Sequence, residues 1–294
     1  MTLSFDHDET LAEARARNVR DALHEDIGRC DWTGRLVPAG ERLRARVVVR
    51  EPAVLCGRDW FEAVVHALDA QASIEWHIVE GDRMAAGGEV CHIEGDARAL
   101  LAAERPALNF LQLLSATATQ TRAYVDAVGD ASSNPRGCRI LDTRKTLPGL
   151  RLAQKYAVRT GGGSNQRLAL YDGILIKENH IAAAGGVTAA LRNARALEAG
   201  VDIQIEVETL AQLREALDAG AQSVLLDNFT LARMREAVAL AGGRALLETS
   251  GGVGLDQVRD IAATGVDRIS IGRLTKDVRA IDFSMRVLDR LAAG

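Results

Sequence analysis

The sequence predicts an α/β protein in two parts: a small α+β unit, then repeated strand–helix units that build a parallel sheet, open or closed into a barrel. Three observations lead there. Positions 42–50 alternate Leu43, Ala45, Val47 and Val49 against Arg44, Arg46, Val48 and Arg50, and period two with one charged face means a sheet wet on one side. From residue 139 on, six short apolar runs alternate with helical patterns, the rhythm of βα units. Gly200, Gly220, Gly242 and Gly265 stand just past four of those helical patterns, as helix-ending glycines do.

In chain order, 8–28 reads as an amphipathic helix with Leu11, Ala14, Val19, Ala22 and Leu23 as its apolar stripe. After the strand at 42–50 come a helix at 58–68, strands near 73–79 and 89–94, and a long helical pattern over 97–128. Pro106 sits inside that pattern. Proline favours a first-turn position, which predicts a break or restart near Arg105. The later strands are 139–141, 173–177, 202–208, 223–227, 245–249 and 268–271, separated by helices at 149–160, 187–199, 210–219, 231–241 and 255–264. Six strands fall short of eight, so a barrel is incomplete or borrows another strand. The expected divisions are an N-terminal domain with its connecting helix at 1–128, the barrel at 129–276, and a last helix within 277–294 that packs back on the N-terminal domain.

Composition removes several classes of function. The 294 residues, 47% hydrophobic and 26% charged, can bury a large core. A net charge of −4 argues against a general nucleic-acid binder. No run approaches the length of a membrane span, and the first twenty residues lack the apolar core of a signal peptide. Cys30, Cys56, Cys91 and Cys138 form no Cys-x-x-Cys pair, and read as reduced, mostly structural thiols of a cytoplasmic protein.

One stretch departs from this acidity. Nine basic residues lie between Arg136 and Lys177, and only three acids, Asp142, Asp172 and Glu178, lie between Arg136 and His180. Arg151, Lys155 and Arg159, spaced by four, read as a solvated helix face. Arg144, Lys145 and Lys177 instead sit where apolar runs end. Cations at strand ends suggest a pocket for a small, multiply charged anion.

In a parallel barrel the working residues lie at the C-terminal ends of the strands. Those ends carry Arg144 and Lys145, Lys177, Glu206 and Glu208, Asp227 and Asn228, Ser250-Gly251-Gly252, and Gly272. Gln204, Glu206 and Glu208 share one face of their strand. A carboxylate pointing inward there needs a cation, a metal or hydroxyl groups; the plainer alternative is an internal ion pair with Lys177 or Lys145. The two glycine sites after the last strands suit backbone binding of a phosphate, although either alone is as readily a tight turn. Gly161-Gly162-Gly163 follows a helix rather than a strand, so it is no nucleotide fingerprint; it reads as a flexible loop over the rim or a plain linker. Carboxylates beside lysines suit a magnesium-bound polyphosphorylated sugar, and arginines suit a carboxylate-bearing co-substrate.

The motifs DTRKT, KYAVRTGGG, NQR, LIKENH, EVET, LLDNF, ETSGG and GVDRISIGRLT, in this order, closely resemble those of the quinolinate phosphoribosyltransferases. EDIG, REPAVLCG and AERPALNFLQ extend the resemblance over nearly the whole chain. The resemblance implies an N-terminal α/β sandwich domain plus an incomplete, open α/β barrel of TIM-barrel type. It implies transfer of a phosphoribosyl group to quinolinate with loss of CO₂, Mg²⁺ as cofactor, and a homodimer, or a hexamer as a multiple of it. Carried over by motif, Arg105, Arg144 and Arg167, with Gln166, bind quinolinate. Lys145, Lys177, Glu206 and Asp227 form the catalytic and phosphoribosyl pyrophosphate site, with Mg²⁺ held mainly by pyrophosphate and also by Glu206 and Asp227. Ser250, Gly251, Gly252 and Gly272 cradle the 5′-phosphate. The family usually has histidine at position 166; glutamine there can hydrogen-bond but carries no charge.

Two other functions fit parts of the pattern: a relative linked to molybdate transport, and a barrel aldolase with Lys177 or Lys145 as Schiff base. Arg105 adds a last expectation. A cation beside a helix start answers a demand from elsewhere, and in the family the matching arginine enters the neighbouring subunit's site. The alternative is a local pair with Glu104 or Asp96.

Overall fold

The structure is a computed structural model that describes residues 8–291. Residues 1–7, the acidic start, and 292–294, the end of the last predicted segment, lie outside the described residues. The chain divides into two compact units. One takes the described residues up to Gln120, Leu147–Gly161 and those from Asp277 on; the other takes Thr121–Thr146 and Gly162–Lys276.

The first unit opens with α1 (Leu11–Ile27), where the Thr10 hydroxyl accepts from the Glu13 amide and the Glu13 carboxylate accepts from the Thr10 amide. Ala14 and Val19 of its predicted stripe are buried, while Leu11, in the first turn, stays exposed. The sheet consists of β1 (Arg42–Val49), β3 (Ser73–Trp76), β5 (Glu89–Asp96) and β12 (Phe283–Leu291), antiparallel in the order β12-β1-β5-β3. Two short strands, β2 (Ala53–Val54) and β4 (Arg83–Met84), pair with each other. In β1 the alternation holds: Leu43, Ala45, Val47 and Val49 are buried and their neighbours half-buried. Helix α2 (Arg58–Leu68) adds Trp60, Phe61, Val64 and Val65 to the core, and α3 (Ala97–Val128) adds Leu100, Leu108, Leu111 and Leu114. Burying a side chain of this size contributes about 1.5–3 kcal/mol.

Three sequence expectations fail in this unit. Where the sequence predicts a last helix within 277–294, Phe283–Leu291 is the strand β12, paired with β1 from Phe283↔Val49 to Arg42↔Leu291. Phe283 and Met285, two apart, meet the core, and the free edge of β1 supplies a ladder that local helical spacing could not outweigh. Second, α3 does not break near Arg105 but runs through Pro106. A mid-helix proline costs about 3 kcal/mol; burial of Ala103, Pro106, Ala107, Leu108 and Leu111 around it favours the continuous helix. Third, Lys155 is not on a solvated face. It lies at 1% exposure on α4 (Arg151–Thr160), beside the buried Ala153, Gln154, Ala157 and Val158.

The second unit is built on a six-stranded parallel sheet: β6 (Arg139–Leu141), β7 (Gly173–Ile176), β8 (Asp202–Val207), β9 (Ser223–Asp227), β10 (Leu246–Ser250) and β11 (Arg268–Ser270). Its order is β6-β11-β10-β9-β8-β7. The two strands adjacent in sequence, β6 and β7, therefore form opposite edges, and the barrel is open between them. Part of the gap is taken by the segment after the triple glycine, where Ser164 bridges Leu141 in parallel; its amide donates to the Ile140 carbonyl at 2.8 Å. So Gly162-Gly163 leads into a borrowed strand position rather than a free loop. Helices α5 (Glu178–Ala184), α6 (Val187–Ala196), α7 (Leu210–Asp218), α8 (Leu231–Ala241), α9 (Val258–Ala262) and α10 (Arg273–Lys276) complete the unit.

Candidate active site

Sheet register decides which side chains meet. Glu206 lies level with Leu225, which lies level with Glu248, and Asp227 lies level with Ser250. Side chains alternate along a strand, so Gln204, Glu206, Asp227, Glu248, Ser250 and Ser270 share one face. All six belong to the second unit, and the C-terminal strand ends bring its polar residues to one rim.

Lys177 follows β7 and reaches across to Glu206, with Nζ 3.5 Å from Oε2. This is the internal ion pair that the sequence offered as the plainer alternative, but it lies at the rim: the lysine side chain is 47% exposed and the glutamate 13%. Burial pushes the Glu206 carboxyl above the usual range; Lys177 opposes the shift, and the nearby Asp227 and Glu178 carboxylates add to it. A carboxylate so placed gains from a second cation or from sugar hydroxyls.

The segment 164–167 carries Gln166 and Arg167. Asp142, fully buried, fixes it by accepting from the Asn165 side chain at 2.6 Å and from the Gln166 amide at 2.9 Å. Arg167 donates to the Gly173 carbonyl at 2.8 Å. Burial lowers the pKa of its guanidinium, the positive charge of Arg144 lowers it further, and Asp172 partly offsets both. Two half-buried guanidinium groups whose charges act on each other suit a dianion.

Beneath Gln166 runs a buried amide relay. Its Nε2 donates to Gln204 Oε1 at 3.0 Å, and Gln204 Nε2 donates to Glu248 Oε2 at 2.9 Å and to Ser223 Oγ at 3.2 Å. Glu248 is 1% exposed, and burial raises its pKa despite the bond from Gln204.

The glycine sites are tight. Gly251 has φ +123°, and a Cβ there would stand 2.2 Å from Asn228 Oδ1; at Gly272 it would stand 3.1 Å from Lys145 Cδ. The turn at Gly251 needs the bare backbone, while at Gly272 the Lys145 side chain would have to give way; both leave room for a phosphate to approach the amides. Thr275 holds Lys145 by donating to its carbonyl at 2.8 Å. Asn228 adopts φ +54°, its amide donates to the Ser250 carbonyl at 3.1 Å, and its side chain donates to Asp227 at 2.9 Å. A left-handed asparagine at a strand end is typical of a functional turn.

Of the predicted ligands, the structure places Arg144, Lys145, Gln166, Arg167, Lys177, Glu206, Asp227, Ser250, Gly251, Gly252 and Gly272 in the second unit. Arg105 belongs to the first unit, exposed, with no ion pair among the described residues. It stands well inside α3, so the helix-start argument for it does not apply, and neither Glu104 nor Asp96 pairs with it. Sequence reading placed Asn228 at a strand end but did not single out Asp142 and Glu248 as parts of the site. Buried acids in strands, where an apolar residue is the norm, were the available signal.

The residues also fit a magnesium ion that arrives with its ligand. Among the described residues, Glu206 and Asp227 have no third His, Cys, Asp or Glu close enough to complete a ligand set. One or two carboxylates beside a polyphosphate is how Mg²⁺ is commonly held.

Comparison with known proteins agrees with this arrangement. Residues 31–115 match the N-terminal and 117–286 the C-terminal domain model of quinolinate phosphoribosyl transferase. The nicotinate-nucleotide pyrophosphorylase (carboxylating) of Mycobacterium leprae is 41% identical over 283 residues, 93% of this chain and 97% of that one. A mitochondrial quinolinate phosphoribosyltransferase (decarboxylating) of Nicotiana tabacum is 36% identical over 295 residues, 92% and 81% of the two chains. The solved nicotinate-nucleotide pyrophosphorylase of Francisella tularensis superposes with a TM-score of 0.90 at 39% identity, covering 98% of this chain and all of the other.

Proposed function

The chain belongs to the quinolinate phosphoribosyltransferase family, and from that premise we propose how its residues divide the chemistry. The reaction joins quinolinate to 5-phosphoribosyl 1-pyrophosphate and yields nicotinate mononucleotide, pyrophosphate and CO₂, a step of de novo NAD biosynthesis. The observation that carries the residue assignment is the rim itself. It sets an arginine pair, Arg144 and Arg167, and a lysine–carboxylate pair, Lys177 and Glu206, on one unit's strand ends.

Arg144 and Arg167 hold the two quinolinate carboxylates, with Gln166 donating or accepting beside them. Lys145 and Lys177 bind the phosphoribosyl pyrophosphate anion, Ser250, Gly251, Gly252 and Gly272 its 5′-phosphate, and Glu206 and Asp227 the ribose. When bound, Mg²⁺ neutralises charge on the leaving pyrophosphate, with Glu206 and Asp227 as its protein ligands. The C1′–O bond to pyrophosphate breaks as the ring nitrogen bonds C1′, through a state with oxocarbenium character. Carboxylates near C1′ lower its energy. With the nitrogen cationic, the adjacent C–CO₂⁻ bond can break; the electron pair stays on the ring carbon, which then takes a proton. The protein supplies alignment and excludes water, and no nucleophilic side chain is needed.

Incubation with both substrates tests the reading: nicotinate mononucleotide and CO₂ should appear in equal amounts. Nicotinate mononucleotide from nicotinate alone, or a borohydride-trapped lysine adduct, would sink it. The same reading makes the protein cytoplasmic and a homodimer, or a hexamer built of three such dimers, in which Arg105 serves the neighbouring subunit's site. Mixing inactive Arg105→Ala and Lys145→Ala chains should then restore roughly a quarter of the sites, because a two-fold dimer holds one doubly defective and one intact site. Activity unchanged after proven exchange would place Arg105 in its own chain's site.

A further inference from the structure

On the wet face of the antiparallel sheet, three metal-ligating side chains meet. Glu75 on the edge strand β3 lies directly opposite His92 on β5. His77 follows two residues after Glu75, held in line by its amide donating to the Val90 carbonyl at 2.9 Å. Residues two apart share a face, and the His77 and His92 rings meet edge to face with centroids 4.6 Å apart. One potential ligand atom from each of Glu75, His77 and His92 lies within 4.8 Å of the others.

A second observation concerns what stands behind the histidine. His92 Nε2 lies 3.2 Å from Glu89 Oε2, and Glu89 is gripped in turn by Arg46 of β1, the residue level with His92. Arg46 thus holds the Glu89 carboxylate in place behind the His92 ring. The tautomer that places the Nε2 proton toward Glu89 leaves the other ring nitrogen of His92 as a lone-pair donor. A carboxylate behind a histidine is how metal-ligating imidazoles are commonly oriented. Glu89 also offsets the charge of Arg46, the cation nearest to the cluster on the neighbouring strand.

We propose that Glu75, His77 and His92 bind one zinc-class divalent ion on the surface of the first unit. Two imidazoles and one carboxylate select Zn²⁺, Co²⁺, Ni²⁺ or Cu²⁺ over Mg²⁺ and Ca²⁺, which prefer oxygen ligands. Water completes the coordination. The ion ties the edge strand β3 to β5 and so guards an otherwise open sheet edge. This site uses no residue assigned above to quinolinate or phosphoribosyl pyrophosphate.

The test uses the full chain without a histidine tag, stripped with chelator and titrated with Co²⁺ and then Zn²⁺. One equivalent of Co²⁺ should give visible d–d absorption, Zn²⁺ should bleach it, and the melting temperature should rise with either ion. Mg²⁺ should leave the spectrum unchanged. His77→Ala and His92→Ala should each abolish the bands and the thermal shift, and Glu89→Gln should weaken binding about tenfold. His77 is exposed, so its variant keeps the test valid even if His92→Ala folds poorly. Wild-type Co²⁺ affinity in His77→Ala, or no saturable binding below millimolar Co²⁺, would overturn the proposal.

Discussion

Glu206 and Glu248 stand at the same level of one parallel sheet, on either side of Leu225, yet their surroundings set them to different tasks. Glu206 lies at the rim with Lys177 at 3.5 Å and Asp227 nearby. Glu248 is sealed from solvent, with the Gln204 amide among its donors. Burial raises both pKa values, but only Glu206 has a lysine to keep it ionised. A carboxylate's role in this barrel therefore follows from its exposure and its partner together.

Lys177→Ala should break that contrast most severely. Without its cation, Glu206 becomes more like Glu248, and kcat/KM for phosphoribosyl pyrophosphate should fall about 10²–10³-fold, the usual loss when one preorganised charge is removed. Steady-state kinetics reads this directly. Arg167→Ala comes next: losing a charge-assisted pair should weaken quinolinate binding about 10–100-fold with little effect on the other substrate. Calorimetric titration of each ligand separates the two.

Glu248→Gln sharpens the contrast through stability. The folded pKa of Glu248 is raised, so its contribution is fully present below the ordinary glutamate value of 4.5 and is lost as pH rises through the raised value. The glutamine variant lacks that loss. Its stability relative to wild type should grow with pH above 4.5. Parallel curves in denaturant titrations at several pH values would mean that Glu248 is not held against ionisation. The smallest effect belongs to Gln166, at the outer end of the relay. Gln166→Ala should weaken quinolinate binding about tenfold, the value of one good hydrogen bond, and Gln166→His should remain active.

Much of this was legible in the sequence because strand ends announce themselves. An apolar run that stops at Lys177, or at Ser250-Gly251-Gly252, gives both the strand and the rim residue at once, and all six parallel strands begin and end within one residue of the pattern. What stayed hidden depended on partners far along the chain. The segment at 283–291 has apolar spacing that suits a helix, and only the free edge of β1 makes it a strand. Lys155 looked solvated because spacing of four cannot show which face a core will cover. Asp142 and Glu248 act through residues 24 and 44 positions away, Gln166 and Gln204, a link that no local pattern carries.

The central claim is that the rim arginines read two carboxylates, and a cycle of binding constants tests it most directly. Quinolinate and nicotinate differ by one carboxylate, and Arg167→Ala removes one proposed partner. If they interact, the two losses are not additive. Wild type should bind quinolinate at least about 100-fold more tightly than nicotinate, and the preference should shrink at least about tenfold in Arg167→Ala. A preference unchanged by the substitution would show that Arg167 does not touch the second carboxylate, and would contradict the account.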